Sequence, residues 1–141
     1  MVSQNHPGFW RGRKKQLLIT HVLEHVRQQD VIGTLNGIRG VLKPKGQFLV
    51  SVPDWDIICH LFINPLASLD MKWHDLRMIL GGQVDDNDYH YMGFNQEILF
   101  DFLKKARFSK AVRVHSFGIF SDTSDFKPYG FPISLNVIAT Q

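Results

Sequence analysis

With 141 residues, 44% of them hydrophobic and 21% charged, the chain is long enough for a real core and has the composition of a folded domain. Its formal charge of +3 comes in good part from Arg11, Arg13, Lys14 and Lys15. With no aromatic platform or zinc-ligand pattern to support a nucleic-acid module, that cluster reads as a solvated arm. No apolar run approaches the ~20 residues of a membrane span, and the start MVSQNHPGFWRGRKKQ carries no apolar signal region. The one cysteine, Cys59, excludes an internal disulfide. The expectation is a cytoplasmic protein with neither nucleic acid nor membrane as partner.

Residues 1–16 show no period and are expected to form the basic arm, with 17–141 as the folded portion. Leu17–Thr20 reads as a short apolar strand, and His21–Val26 as the start of a helical turn. Asp30 suits the N-cap of the next helix, in which Val31, Leu35, Ile38 and Leu42 share a face. Gly33, Gly37 and Gly40 each weaken that helix by roughly 1 kcal/mol, and Lys43-Pro44-Lys45-Gly46 stops it. Gln47–Val52 is an apolar run of the kind found in strands covered on both faces. A short helix over Ile57–Ile63 ends at Asn64-Pro65. A longer one over Leu69–Leu80 has residues 69, 73, 76, 79 and 80 on its apolar face and closes at Gly81-Gly82.

The stretch Gln83–Gly93 (QVDDNDYHYMG) is polar, acidic and aromatic, and reads as a long functional loop. Asn95 caps a helix whose buried face is Ile98, Leu99, Phe102 and Leu103. Ala111–Phe117 and Ile133–Ala139 are two late strands, joined by the turn-rich SDTSDFKPYGFP. The order β-α-β-α-α-α-β-β, with a hairpin-like finish, predicts an α/β fold: a mixed sheet with helices on both faces. In such sheets ligands bind beyond the carboxyl ends of the parallel strands, which places Thr20, His21, Glu24 and His25 at the first candidate site.

ITHVLEHV followed by GVLKPKGQFLVSVPD resembles the second half of class I S-adenosylmethionine-dependent methyltransferases, whose usual text there is close to S-H-V-L-E-H and R-V-L-K-P-G-G. RMILGGQ and then DYHYMGF resemble a subgroup associated with bacterial cell-surface sugar biosynthesis. The resemblance runs from Leu17 to the C-terminus. It implies a partial Rossmann-like sheet in which Leu17–Thr20 is the fourth of seven strands, Gln47–Val52 the fifth, and the C-terminal strands the final antiparallel pair. Gly40 replaces the usual arginine and Lys45 a usual glycine. The family's acidic-x-G-x-G-x-G cofactor loop and its ribose-gripping acidic residue have no counterpart in the sequence. The resemblance therefore implies a C-terminal portion lacking the first three strands: a truncated or frame-disrupted product, or one piece of a split enzyme.

By this resemblance the cofactor is S-adenosylmethionine, with Thr20, His21, Val22 and His25 lining its methionine end. His21, His90 and Tyr91 are the candidate catalytic residues. Asp54, His90 and Tyr91 would face a small-molecule or sugar-related acceptor. Methyl transfer needs proximity and often a base, a part open to histidine near neutral pH. Each assignment has a plainer counterpart. Thr20 and His21 could simply end a strand and cap a turn, and a Glu24–His25 hydrogen bond could fix the helix. Gly81 and Gly82 suit a turn better than a ligand.

No metal site is expected from the family. His21-Val22-Leu23-Glu24-His25 nonetheless matches H-x-x-E-H, a zinc-hydrolase signature with two histidine ligands and a glutamate base. The competing readings are then a zinc hydrolase using His21, Glu24 and His25, or an inactive fragment or subunit. In the last case the edge of Leu17–Thr20 would pair with another copy or a partner chain.

Overall fold

The computed structural model describes residues 12–119, 127, 130 and 132–141. Residues 1–11 of the expected arm, Arg11 among them, and most of SDTSDFKPYGFP lie outside the described residues. Four strands and four helices follow in the order expected: β1 (Lys14–Thr20), α1 (Val31–Val41), β2 (Leu42–Pro53), α2 (Trp55–Ile63), α3 (Leu69–Leu80), α4 (Gln96–Lys105), β3 (Lys110–Val114) and β4 (Ser134–Thr140). Single 3-10 turns at Leu23–His25 and Gln28–Asp30 link β1 to α1. The four strands form one sheet in the order β1-β2-β4-β3. β1 runs parallel to β2, while β4 is antiparallel to both β2 and β3. This is the expected α/β arrangement, parallel strands first and an antiparallel pair last.

β2 lies between β1 and β4, which explains its composition. Phe48, Val50 and Val52 face the main core, joined by Val31, Leu35 and Ile38 of α1 and Leu99 and Leu103 of α4. Leu49 and Ser51, on the opposite face, are buried as well. A strand covered on both sides needs apolar residues at successive positions, as QFLVSV provides.

Several local expectations need correction. β1 starts at Lys14, three residues inside the expected arm, because pairing with β2 recruits polar residues into the ladder. α1 ends at Val41, before the expected stop, and both Leu42, expected on the helical face, and Lys43–Gly46 belong to β2. The register passes from Lys14↔Leu42 to Gln16↔Gln47, so extra residues of β2 bulge out there, with Lys45 in the left-handed region at φ 62°. Asp30 precedes α1 without capping it, since the chain enters through a 3-10 turn, and Thr34 Oγ1 instead donates to the Asp30 carbonyl. The helix after β2 starts two residues early, at Trp55, where the Asp54 carboxylate accepts from Asp56 N–H.

α3 has the expected bounds and a serine cap, Ser68, whose Oγ accepts from Met71 N–H. Its apolar face is nevertheless uncovered at Leu69, Trp73 and Leu80. On α4, capped by Asn95 as expected, Leu99 and Leu103 are buried while Ile98 is exposed. β3 is shorter than expected, ending at Val114, and β4 runs one residue past Ala139. Among the described residues no helix is long and apolar enough to cross a membrane.

Candidate functional site

The carboxyl end of β1 carries the candidate residues, and the backbone there is unusual. Thr20 closes the strand opposite Ser51. His21 turns into the left-handed region, φ 48°, uncommon outside glycine, while its N–H still donates to Ser51 O at 2.8 Å. The chain thus leaves the sheet abruptly and places the His21 ring over the start of β4, where Nε2 and Ser134 Oγ form a 2.9 Å hydrogen bond. Val22 is exposed, and Leu23 and Glu24 turn into the core.

Glu24 occupies an uncomfortable position. It is 2% exposed, and neither carboxylate oxygen has a hydrogen-bond partner. His21 Nδ1 is nearest among the ion-pair contacts, 3.8 Å from Oε1. Burial pushes the Glu24 carboxyl up from its ordinary value to about 7, against a weaker opposing pull from its own backbone amide. The backbone of the same residue is well used, because Glu24 O accepts from both Tyr91 N–H (2.9 Å) and Met92 N–H (3.1 Å).

This pair of hydrogen bonds draws the loop after α3 onto the end of β1. Gly81 ends α3 at φ 85°, with the loop returning so closely that a Cβ there would lie 2.1 Å from Asp88 O. Gly81 and Gly82 therefore shape a turn, as expected. The loop brings His90 to His25, ring centroids 4.7 Å apart and planes nearly perpendicular. His25 Nδ1–H donates to Tyr89 O at 3.1 Å and His90 Nδ1–H to Met78 O at 2.9 Å. Burial, reinforced by neighbouring His25, holds His90 below the ordinary histidine value. One ligand-capable atom from each of Glu24, His25 and His90 lies within 4.8 Å of the others. Tyr91 is exposed, with the Arg27 guanidinium 5.4 Å above its ring.

Thr20, His21, Val22 and His25 thus share the end of β1, and the loop adds His90 and Tyr91. Asp54 stands apart in chemistry: it is 1% exposed, caps α2 and accepts from Arg113 Nη2 at 2.8 Å. The expected Glu24–His25 hydrogen bond does not form, since His25 turns to the Tyr89 carbonyl. H-x-x-E-H does not lie on a regular helix either; His21 precedes a lone 3-10 turn and points to Ser134. The zinc-hydrolase arrangement, with both histidines on one helical face, is therefore not built. Ser134, which sets the His21 ring, was missed by sequence reasoning. It lies 113 positions away, and no local pattern marks it.

The sheet order and the solved structures that superpose on it define the fold: it is part of the class I S-adenosylmethionine-dependent methyltransferase fold. The 1,6-didemethyltoxoflavin-N1-methyltransferase of Burkholderia thailandensis, solved with 1,6-didemethyltoxoflavin and S-adenosylhomocysteine, superposes at a TM-score of 0.55 with 18% identity over 93% of this chain. A SAM-dependent methyltransferase from Archaeoglobus fulgidus superposes at 0.56 with 14% identity over 94%. An O-methyltransferase family protein from B. thailandensis does so at 0.54 with 14% identity over 96%. The chain spans only 45%, 61% and 33%, respectively, of those structures' own lengths. No protein-family model and no curated protein matches the sequence.

Proposed function

We propose that the chain forms the acceptor-side part of a site for S-adenosylmethionine-dependent methyl transfer to a small molecule, with a sugar-related acceptor favoured by the Arg77–Phe94 resemblance. The observation that carries the reading is the left-handed His21 at the carboxyl end of β1, in a sheet ordered β1-β2-β4-β3. Open parallel sheets bind their ligands at that end.

The groups at this end fit one wall of such a cofactor site: the Thr20–His21 backbone turns sharply out of the sheet, and exposed Val22 offers apolar surface. When bound, the cofactor would supply a methyl group on a sulfonium leaving group. Thr20, His21, Val22 and His25 would hold its methionine end. His90, kept neutral by burial, can accept a proton from an acceptor hydroxyl or amine, and Tyr91 offers a hydroxyl to orient it. His21, anchored to Ser134, is a second candidate base. Asp54 enters through Arg113, whose guanidinium it holds.

Calorimetric titration of the full chain with S-adenosylmethionine and S-adenosylhomocysteine tests the reading. Saturable binding that disappears in His21→Ala is the expected result. Absence of binding in a chain that unfolds cooperatively would show that these residues do not hold the cofactor by themselves.

A second reading, in which the chain works as a subunit, is favoured by one observation. β1 pairs only with β2 among the described residues, and Leu17, Leu18 and Ile19 are only half-buried. An apolar strand at the edge of a sheet invites a further strand. Sedimentation of the pure chain should then show self-association, relieved in Leu18→Lys. A monodisperse wild-type monomer would count against it.

A further inference from the structure

We propose that Glu24, His25 and His90 bind a divalent transition-metal ion of the zinc, manganese or iron(II) kind, held by one carboxylate and two imidazoles at the carboxyl end of β1. Nothing in this rests on methyl transfer, and with an ion on its one available lone pair His90 would no longer serve as a base. The site also differs from the H-x-x-E-H reading: His21 is not a ligand, Glu24 is a ligand and not a base, and His90 comes from a distant loop.

The donor set comes first. One ligand-capable atom from each residue lies within 4.8 Å of the others. Donors around one ion at bond lengths of about 2.0–2.2 Å lie roughly 3–3.5 Å apart, so a modest inward closure completes the site. An oxygen and two imidazole nitrogens, with no thiolate among them, suit borderline divalent ions. Three protein ligands leave coordination positions open for water or for an oxygen of a bound molecule.

Both imidazoles have their tautomer fixed by a backbone carbonyl. His25 and His90 each spend Nδ1–H on a backbone carbonyl, Tyr89 O and Met78 O. Each is thereby left with its lone pair on Nε2. A carbonyl that fixes the tautomer and ring of a metal-binding histidine is the usual supporting contact for such a ligand.

The second, independent observation is the carboxylate itself. Glu24 is 2% exposed, with both oxygens lacking a hydrogen-bond partner and only the His21 ring, 3.8 Å from Oε1, and its own backbone amide acting on it. A buried carboxylate without a partner is costly as an anion. If it were protonated instead, its hydroxyl would still need an acceptor. A cation among Glu24, His25 and His90 supplies the missing partner. The scaffold is in place for it, because the Tyr91 and Met92 amides on Glu24 O tie the loop bearing His90 to the turn bearing Glu24 and His25.

The test is calorimetric titration of the chelator-treated full chain with zinc or manganese alone, together with the visible absorption of its cobalt(II) adduct. One ion per chain is expected. Glu24→Gln and His90→Ala should each weaken it by at least about a hundredfold, since even the outer contacts of a metal ligand are worth ~10–100-fold. His60→Ala and His74→Ala, on α2 and α3, should leave it unchanged. Metal-free unfolding midpoints of each variant, with His90→Gln as a milder alternative, separate ligand loss from misfolding. Absence of stoichiometric binding, or binding indifferent to both Glu24→Gln and His90→Ala in folded protein, would overturn the proposal. The titration contains neither cofactor nor acceptor, so its outcome is independent of the methyl-transfer test.

Discussion

Phe48→Ala is expected to lower the unfolding free energy by about 3–5 kcal/mol, much of the ~5–15 kcal/mol that holds a typical domain together. Phe48 is fully buried on β2, flanked in the sheet by Leu17 of β1 and Ala139 of β4. Its ring meets Phe108 at 5.9 Å between centroids. Removing it deletes apolar surface and leaves a hole beneath three strands that cannot all collapse inward without breaking register. Urea unfolding followed by circular dichroism reads the effect. A loss below about 1 kcal/mol would mean that α1 and α4 do not close over this face.

The second large effect has the opposite sign. In metal-free protein near pH 8, Glu24→Gln should stabilise the fold by up to about 3 kcal/mol. The Glu24 carboxyl is raised from 4.5 to about 7 by burial, and each unit of such a shift corresponds to ~1.4 kcal/mol between protonation states. Below the unfolded-state value the carboxyl is neutral in both states and carries no ionisation penalty. As pH rises, the unfolded chain ionises first, so the penalty grows until it is complete above the folded-state value. The groups facing Glu24 are His21, 3.8 Å away, and the His25–His90 pair. Glutamine keeps the shape without the charge, so its advantage should be present at pH 8 and largely absent at pH 4. Thermal unfolding of both proteins at the two pH values measures it. An equal difference at both would show that ionisation of Glu24 is not the cause.

Much of this fold was legible in the sequence, and the misses have physical reasons. The bounds of α3 could be read because Ser68 caps it and Gly81 ends it, both local signals. Which side of it is covered could not. The period of Leu69, Trp73 and Leu80 reports that a face is apolar, and says nothing of what lies against it. β1 was read too short because a strand's polar residues are recruited by its neighbour's ladder, which lies in another part of the chain.

The candidate site divides the same way. Thr20, His21, Glu24 and His25 are adjacent in sequence and were visible together at a strand end. The meeting of His25 with His90, sixty-five positions on, depends on a loop folded over Gly81 and Gly82. The burial of Glu24 is a property of the assembled core. A sequence marks the residue and cannot mark its lack of partners.

The shared carbonyl of Glu24 has a mechanical consequence. Because Tyr91 and Met92 hang from one oxygen, the loop and the strand end behave as a clasp with a single catch. Releasing that catch frees two amides at once, so their hydrogen exchange should be slow and synchronous. Whatever leans on the exposed Tyr91 ring then pulls directly on the residue whose side chain is sealed in the core.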